Sequence, residues 1–132
     1  MSVGNLGTRQ TEPTVTMNHA PENRTPWGYM QWLCSGTLFA DAQQTVGYVE
    51  INAGEKNPRH LHPNSDEVLY LLEGALDHSL GDAVVHLTAG MSIHIPQGMP
   101  HDAHNRGEGV ARMIVSYPTA DRQVVMLEAG QE

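Results

Sequence analysis

Gly, Pro, Asn and Asp residues interrupt this chain at short intervals, and this punctuation constrains its fold more than any other feature. Between the interruptions lie short runs rich in aliphatic and aromatic residues, as is typical of β-strands. No window keeps the i, i+3, i+4, i+7 spacing of an amphipathic helix for long enough to predict one. Eight runs are predicted to form strands: Trp27–Leu33, Thr37–Ala40, Thr45–Ile51, Glu67–Glu73, Ala75–Leu80, Ala83–Leu87, Met91–Ile95 and Ala111–Tyr117.

Many short strands at near-regular spacing predict an all-β sandwich or barrel. Gly81-Asp82 lies between two of the runs and indicates a two-residue hairpin, with Gly81 suited to the first position of a type II′ turn. The 132 residues fit a single domain. Composition predicts an extended N-terminal arm over 1–26, free or lying across a partner subunit, then the barrel over 27–117 and a C-terminal strand and tail over 118–132.

The charge of the chain excludes some classes of partner. Fifteen acidic residues outnumber seven basic ones, which gives a net charge of −8. Such a surface repels phosphate backbones and anionic lipids, so neither nucleic acid nor membrane is expected as a partner. Cys34 is the one cysteine, which fits a reducing compartment. Because the first 26 residues also carry no secretory signal, we expect a cytoplasmic protein.

The first of two segments that concentrate metal-binding residue types runs from Gly54 to Gly74 and reads GEKNPRHLHPNSDEVLYLLEG. Side chains i and i+2 of a strand point to the same face, so His60 and His62 are predicted to point together. A turn over 63–66 follows, after which Glu67 opens the next strand and can approach the same place.

The second segment runs from Gly90 to Asn105 and reads GMSIHIPQGMPHDAHN. The sequence Pro96-Gln97-Gly98 predicts a turn at the end of a strand, and this turn precedes His101. His104 lies three residues beyond His101, so in a regular strand its side chain points to the opposite face.

Together the two segments resemble the paired signature motifs of the cupin superfamily. The first motif is G, five residues, HxH, three or four residues, E, six residues, G. The second is G, five residues, PxG, two residues, H, three residues, N, and every fixed position of both is present here. The resemblance implies a jelly-roll barrel, the cupin double-stranded β-helix, which commonly forms homodimers. It also implies that His60, His62, Glu67 and His101 are metal ligands and that Asn105 closes the motif.

The implied ligand set indicates which metal ions to expect. Three neutral imidazoles and one carboxylate suit one divalent transition metal ion: Mn, Fe, Co, Ni, Cu or Zn. Four protein ligands leave one or two coordination positions of a five- or six-coordinate ion for water or substrate. A structural zinc site is more often closed and rich in cysteine.

Two functional hypotheses follow. In the first, the protein is an enzyme acting on a small oxygenated substrate that chelates the metal, either as a dioxygenase or as a non-redox isomerase, cyclase or lyase. Glu67 is then both ligand and candidate base, and His104 is a second catalytic candidate, although a surface or supporting role is simpler. In the second hypothesis, the barrel holds a metal ion and binds a sugar or small organic acid without converting it.

Overall fold

The structure, a computed structural model, describes residues 9–128. Over this range the chain forms eleven β-strands and no helix, and thus no helix of the length and apolarity that a membrane span requires. The strands are β1 (Glu22–Thr25), β2 (Gly28–Cys34), β3 (Thr45–Ile51), β4 (His60–Leu61), β5 (Glu67–Glu73), β6 (Ala75–Leu80), β7 (Ala83–Thr88), β8 (Ser92–Ile95), β9 (His101–His104), β10 (Ala111–Tyr117) and β11 (Val125–Met126).

The described strands form two sheets, a six-stranded one in the order β1-β2-β3-β10-β5-β8 and a five-stranded one in the order β11-β4-β9-β6-β7. Every pairing is antiparallel. Burial alternates residue by residue along β3 and β10, because one face of each strand packs inward and the other does not. The predicted all-β jelly roll is confirmed.

The core lies between the two sheets and consists mainly of aliphatic side chains. Ile51, Leu71 and Met113 reach it from the six-stranded sheet and are at most 1% exposed, while Leu76 and Leu87 reach it from the five-stranded sheet and are equally buried. Burying such side chains provides most of the favourable free energy of folding, about 1.5–3 kcal/mol for each. The metal-ligand candidates lie between these same two sheets.

The hairpin prediction is confirmed. Leu80 pairs with Ala83 across the β6–β7 turn, which leaves Gly81 and Asp82 as a two-residue loop. Gly81 has a φ of 61°, in the left-handed region that residues with a Cβ rarely adopt.

The predicted strand Thr37–Ala40 is wrong, because these residues lie in a turn region. The Leu38 and Phe39 amides donate to the Ser35 carbonyl at 3.1 and 2.9 Å, and the Leu38 amide also lies 3.3 Å from Ser35 Oγ. These local hydrogen bonds use amides that a sheet would otherwise need. Leu38 is still buried, so the apolar pattern indicated burial correctly but not the strand.

Strands also form outside the 27–117 segment. β1 belongs to the predicted arm and pairs with β2, whereas β11 belongs to the predicted C-terminal strand and tail and pairs with β4. Residues 1–8 of the arm and 129–132 of the tail lie outside the described residues. The domain boundaries, the arm's contact with a partner subunit and the homodimer stay predictions.

Candidate metal centre

His60, His62, His101 and Glu67 converge between the two sheets. His60 opens β4 and pairs in register with His101, which opens β9. His62 follows β4, and Leu61 between the two histidines is less buried than either, so the predicted alternation is confirmed. Glu67 opens β5 in the opposite sheet. The carboxylate therefore approaches the imidazoles from across the core.

The distances are short enough for one ion to contact the three imidazoles, and the Glu67 carboxylate lies close to two of them. One ring nitrogen from each of the three histidines lies within 4.8 Å of the others. Glu67 Oε1 lies 3.3 Å from Nε2 of His62 and 3.3 Å from Nε2 of His101. All four residues are at most 5% exposed.

Backbone carbonyls fix the tautomer of each of these imidazoles. Nδ1 of His60 lies 2.7 Å from the Pro58 oxygen, Nδ1 of His62 lies 2.8 Å from the Gln123 oxygen, and Nδ1 of His101 lies 2.8 Å from the Met99 oxygen. A carbonyl oxygen only accepts hydrogen bonds, so each Nδ1 must donate. In the neutral imidazoles the Nε2 lone pairs are then available to a metal ion.

The atoms that face one another in the centre lack hydrogen bonds. Within residues 9–128, His62 Nε2, His101 Nε2 and Glu67 Oε1 are buried with no hydrogen-bond partner, although Glu67 Oε1 lies 3.3 Å from each of the two nitrogens. Leaving a buried polar group unpaired costs about 1–3 kcal/mol. A divalent cation between these atoms would satisfy all of them, so the residues fit the metal ion that the ligand set implies.

The electrostatics of the centre favour a charged carboxylate. Burial by itself raises the pKa of the Glu67 carboxyl, but the imidazoles of His101 and His62 outweigh burial and hold that pKa below its usual value. Burial likewise lowers the pKa of His101, and the neighbouring Glu67 carboxylate more than reverses the effect, so the pKa of His101 is raised. Glu67 is thus an anion and ready to act as a ligand.

A small cavity adjoins the centre. Its volume is only about 30 Å³. His60, His101 and Glu67 line it together with apolar side chains from both sheets. The space beside the proposed ligands therefore admits very little water.

The cavity wall also contains polar and aromatic residues that the sequence did not predict there. Trp27, Asn57, Tyr117 and Arg122 belong to its wall. His78, which also lines the cavity, is 1% exposed and stacks on His101, with ring centroids 5.7 Å apart and an interplanar angle of 11°. The period-2 pattern of β6 contains a signal for His78, since it alternates in phase with the buried Leu76.

His104 lies out of phase with the proposed ligands. Burial along β9 alternates, with His101 and Ala103 buried and His104 less so. The side chain of His104 therefore points away from the face that carries His101, as its position in the strand predicts. A catalytic role for His104, like that of Glu67, stays a prediction.

Asn105, the last residue of the second motif, is 1% exposed and fully hydrogen-bonded. Its Nδ2 donates to the carbonyls of Ile51 and Gly109 at 2.9 and 2.8 Å, and its Oδ1 accepts from the Gly107 amide at 2.9 Å. This side chain joins the loop after β9 to the end of β3.

Sequence comparisons relate this chain to known proteins. The profile described as Cupin domain matches residues 47–117. Protein SchB of Streptomyces halstedii is 29% identical over 107 residues, covering 81% of this chain and 78% of its own length. The tetracenomycin polyketide synthase protein TcmJ of Streptomyces glaucescens is 35% identical over 69 residues, covering 52% of this chain and 46% of its own length.

Solved structures share the fold. The oxalate decarboxylase of Lactobacillus farciminis, solved as a formate complex, superposes with a TM-score of 0.80 at 21% identity over 88% of this chain. The Bacillus subtilis oxalate decarboxylase, which contains Mn(II) centres, gives 0.72 at 18% identity over 78% of this chain. The matched regions are 37% and 28% of those longer chains, respectively.

Proposed function

Because this chain belongs to the cupin family, we propose that it is a metal-dependent enzyme acting on a small oxygenated molecule that chelates the metal ion through two oxygens. His60, His62, His101 and Glu67 would hold one divalent transition metal ion. The relative named as a tetracenomycin polyketide synthase protein supports an oxygen-rich carbonyl compound as substrate.

One observation carries the proposal: the convergence of buried polar atoms that have no hydrogen bonds. Nε2 of His62, Nε2 of His101 and Oε1 of Glu67 meet inside the barrel, while backbone carbonyls hold each histidine in the tautomer that ligation requires. A purely structural cluster of this depth would be expected to pair its polar atoms with one another. These atoms instead face a common point.

The residues of this chain would serve three tasks in such a reaction. A bound divalent ion would polarise the substrate oxygens and stabilise negative charge on them. The carbonyls of Pro58, Gln123 and Met99 orient the imidazoles, and the apolar side chains of the cavity wall exclude water, which strengthens electrostatic interactions there. Glu67 is the candidate base, and its carboxylate would loosen from the metal ion to accept a proton from the substrate.

Metal analysis followed by activity assays tests this function. The purified protein is expected to contain one divalent ion per chain, and a panel of enols, catechols and keto sugars is then assayed with and without dioxygen. Consumption with oxygen uptake would identify a dioxygenase, and consumption without oxygen a non-redox isomerase, cyclase or lyase. Either activity should disappear in a His62→Ala variant. If several compounds bind and none is consumed, the barrel is a binding module and the enzyme proposal is wrong.

A further inference from the structure

The outer side of the six-stranded sheet is apolar at positions where a sheet face in water is ordinarily polar. Val68, Tyr70 and Leu72 of β5 point away from the core and are 43%, 43% and 46% exposed. Leu69 and Leu71, which alternate with them, are buried in the core. A strand that is apolar on both faces is typical of sheets that are covered on both sides. Within residues 9–128 the outer side of β5 is nevertheless left accessible to solvent.

The apolar side chains continue onto the neighbouring strands. Tyr70 pairs in register with Ile114 of β10, and Ile114 pairs with Tyr48 of β3. Side chains that pair across an antiparallel ladder lie on the same face of the sheet. The adjacent row adds Val68 of β5 and Val46 of β3. The outward-facing residues are here called the outer apolar face: Val46, Tyr48, Val68, Tyr70, Leu72 and Ile114.

Charged side chains beside the outer apolar face are paired with one another. Arg112 of β10 forms an ion pair with Glu50 of β3, and its Nε lies 3.5 Å from Glu73 Oε2 of β5. Glu50 also accepts hydrogen bonds from the hydroxyls of Tyr29 and Tyr48, at 3.0 and 2.6 Å. The chain has a net charge of −8, so two copies repel each other over most of their surface. The paired charges reduce that repulsion at this face.

The six-stranded sheet is large enough for a stable contact between two chains. Four of its strands have seven residues and two have four. At about 4.8 Å between strands and about 3.4 Å per residue, the sheet covers roughly 600 Å² in projection. The smallest stable interfaces bury about 600 Å² on each partner. Met17, which is 42% exposed, adds further apolar surface beside β2, because Gln31 Nε2 donates to its carbonyl at 2.7 Å.

We propose that the outer apolar face binds the same face of a second copy of this chain, so that two six-stranded sheets pack against each other. In a two-fold contact both copies supply the same surface, which must therefore be complementary to itself. An apolar sheet face whose charges are already paired meets that requirement. Two sheets packed in this way lie about 10 Å apart, and their side chains interdigitate. The metal centre lies on the inner side of the sheet, so this inference does not depend on the proposed function.

The oligomeric state of the full-length chain tests the proposal. Sedimentation velocity over a range of concentrations should show that the wild-type chain is a dimer. Tyr70→Glu would bury one unpaired carboxylate from each copy in the contact, so it is expected to weaken the dimer by at least about 100-fold. Leu72→Lys is a second variant with the opposite charge and the same expected result. Both side chains are exposed in the single chain, so circular dichroism should show an unchanged fold.

A matched control separates loss of the contact from a general effect of added charge. Val84 is 67% exposed, more than any residue of the outer apolar face, but it lies in β7 of the five-stranded sheet and pairs with Ser79. Val84→Glu also replaces an exposed apolar side chain with a carboxylate. It should leave the dimer as stable as in the wild-type chain.

Two results would overturn the proposal. A wild-type chain that stays monomeric at every concentration would show that no second copy binds this face, and would indicate a different protein as its partner. A dimer that is as stable in Tyr70→Glu and Leu72→Lys as in the wild-type chain would show that the two copies meet at another surface. Loss of the dimer in both variants and its retention in Val84→Glu would support the outer apolar face as the contact.

Discussion

Two regions of the barrel bury polar side chains to a similar depth, but only one of them provides hydrogen-bond partners for all of their polar atoms. Asn105 is 1% exposed and makes three hydrogen bonds, which use both the nitrogen and the oxygen of its amide. His62 and Glu67 are 2% and 4% exposed, yet His62 Nε2 and Glu67 Oε1 have no hydrogen bond within residues 9–128. Asn105 is a fixed position of the second motif, and His62 and Glu67 are fixed positions of the first.

The difference separates a structural polar group from a functional one. Buried polar groups in native proteins are nearly always paired, so each exception needs an explanation. The Asn105 amide needs no such explanation, since the Ile51 and Gly109 carbonyls and the Gly107 amide are its hydrogen-bond partners. The atoms of the metal centre need a partner of another kind, and a divalent cation supplies it.

The largest effect is expected from loss of a ligand. His101→Ala should lower metal affinity by more than about 100-fold, because loss of a group that only hydrogen-bonds to a metal ligand already costs about 10- to 100-fold. Metal content after dialysis measures the loss, and circular dichroism checks the fold. His104→Ala is the matched control, since His104 lies in the same strand out of phase with His101. Equal metal content in both variants would contradict the ligand assignment.

Asn105→Ala should have the next largest effect, on folding rather than on the metal. It leaves the Ile51 and Gly109 carbonyls and the Gly107 amide without this partner, at an expected cost of about 3 kcal/mol in the free energy of unfolding. Denaturant titration measures this cost. Asn52→Ala, at an exposed position nearby, should change stability by less than about 0.5 kcal/mol. An Asn105→Ala variant as stable as wild type would remove the contrast between the two regions.

Metal removal should destabilise the whole barrel. If the free metal concentration is 100 times the dissociation constant, binding contributes about 2.7 kcal/mol. For a domain of this size, stripping the ion should therefore lower Tm by about 10 °C. Thermal unfolding with and without a chelator measures the shift, and adding back the ion should restore it. A Tm that does not respond to the ion would mean that the centre does not bind it in the folded state.

Asn64→Ala should have the smallest effect. It removes two hydrogen bonds to the segment that carries the Gln123 carbonyl, the partner of His62 Nδ1, so metal affinity should fall by up to about 10-fold. Gln97→Ala is the control, because Gln97 makes a similar bond to the Pro63 carbonyl without touching that segment. If both variants bind the metal equally well, support from Asn64 is unimportant.

Local spacing predicted much of the fold and the convergence at the site. The bounds of β3, β5, β6 and β10 agree with the runs predicted from the sequence, and alternation placed His60 and His62 on one face. Part of what local spacing missed depends on contacts distant in sequence. No local pattern predicts that Arg122 reaches the cavity. Its position depends on the hydrogen bond from Asn64 to the carbonyl of the neighbouring Asp121, and Asn64 lies 57 residues before Asp121. The Ser35 turn was missed since its hydrogen bonds compete with a strand-like apolar pattern.

Anomalous diffraction from crystals of the purified protein tests the central claim most directly. The account predicts one peak per chain, about 2.0–2.3 Å from Nε2 of each of the three histidines and from a Glu67 oxygen. A peak at any other place would contradict the account. So would crystals grown with excess metal in which no ion lies between His60, His62 and His101.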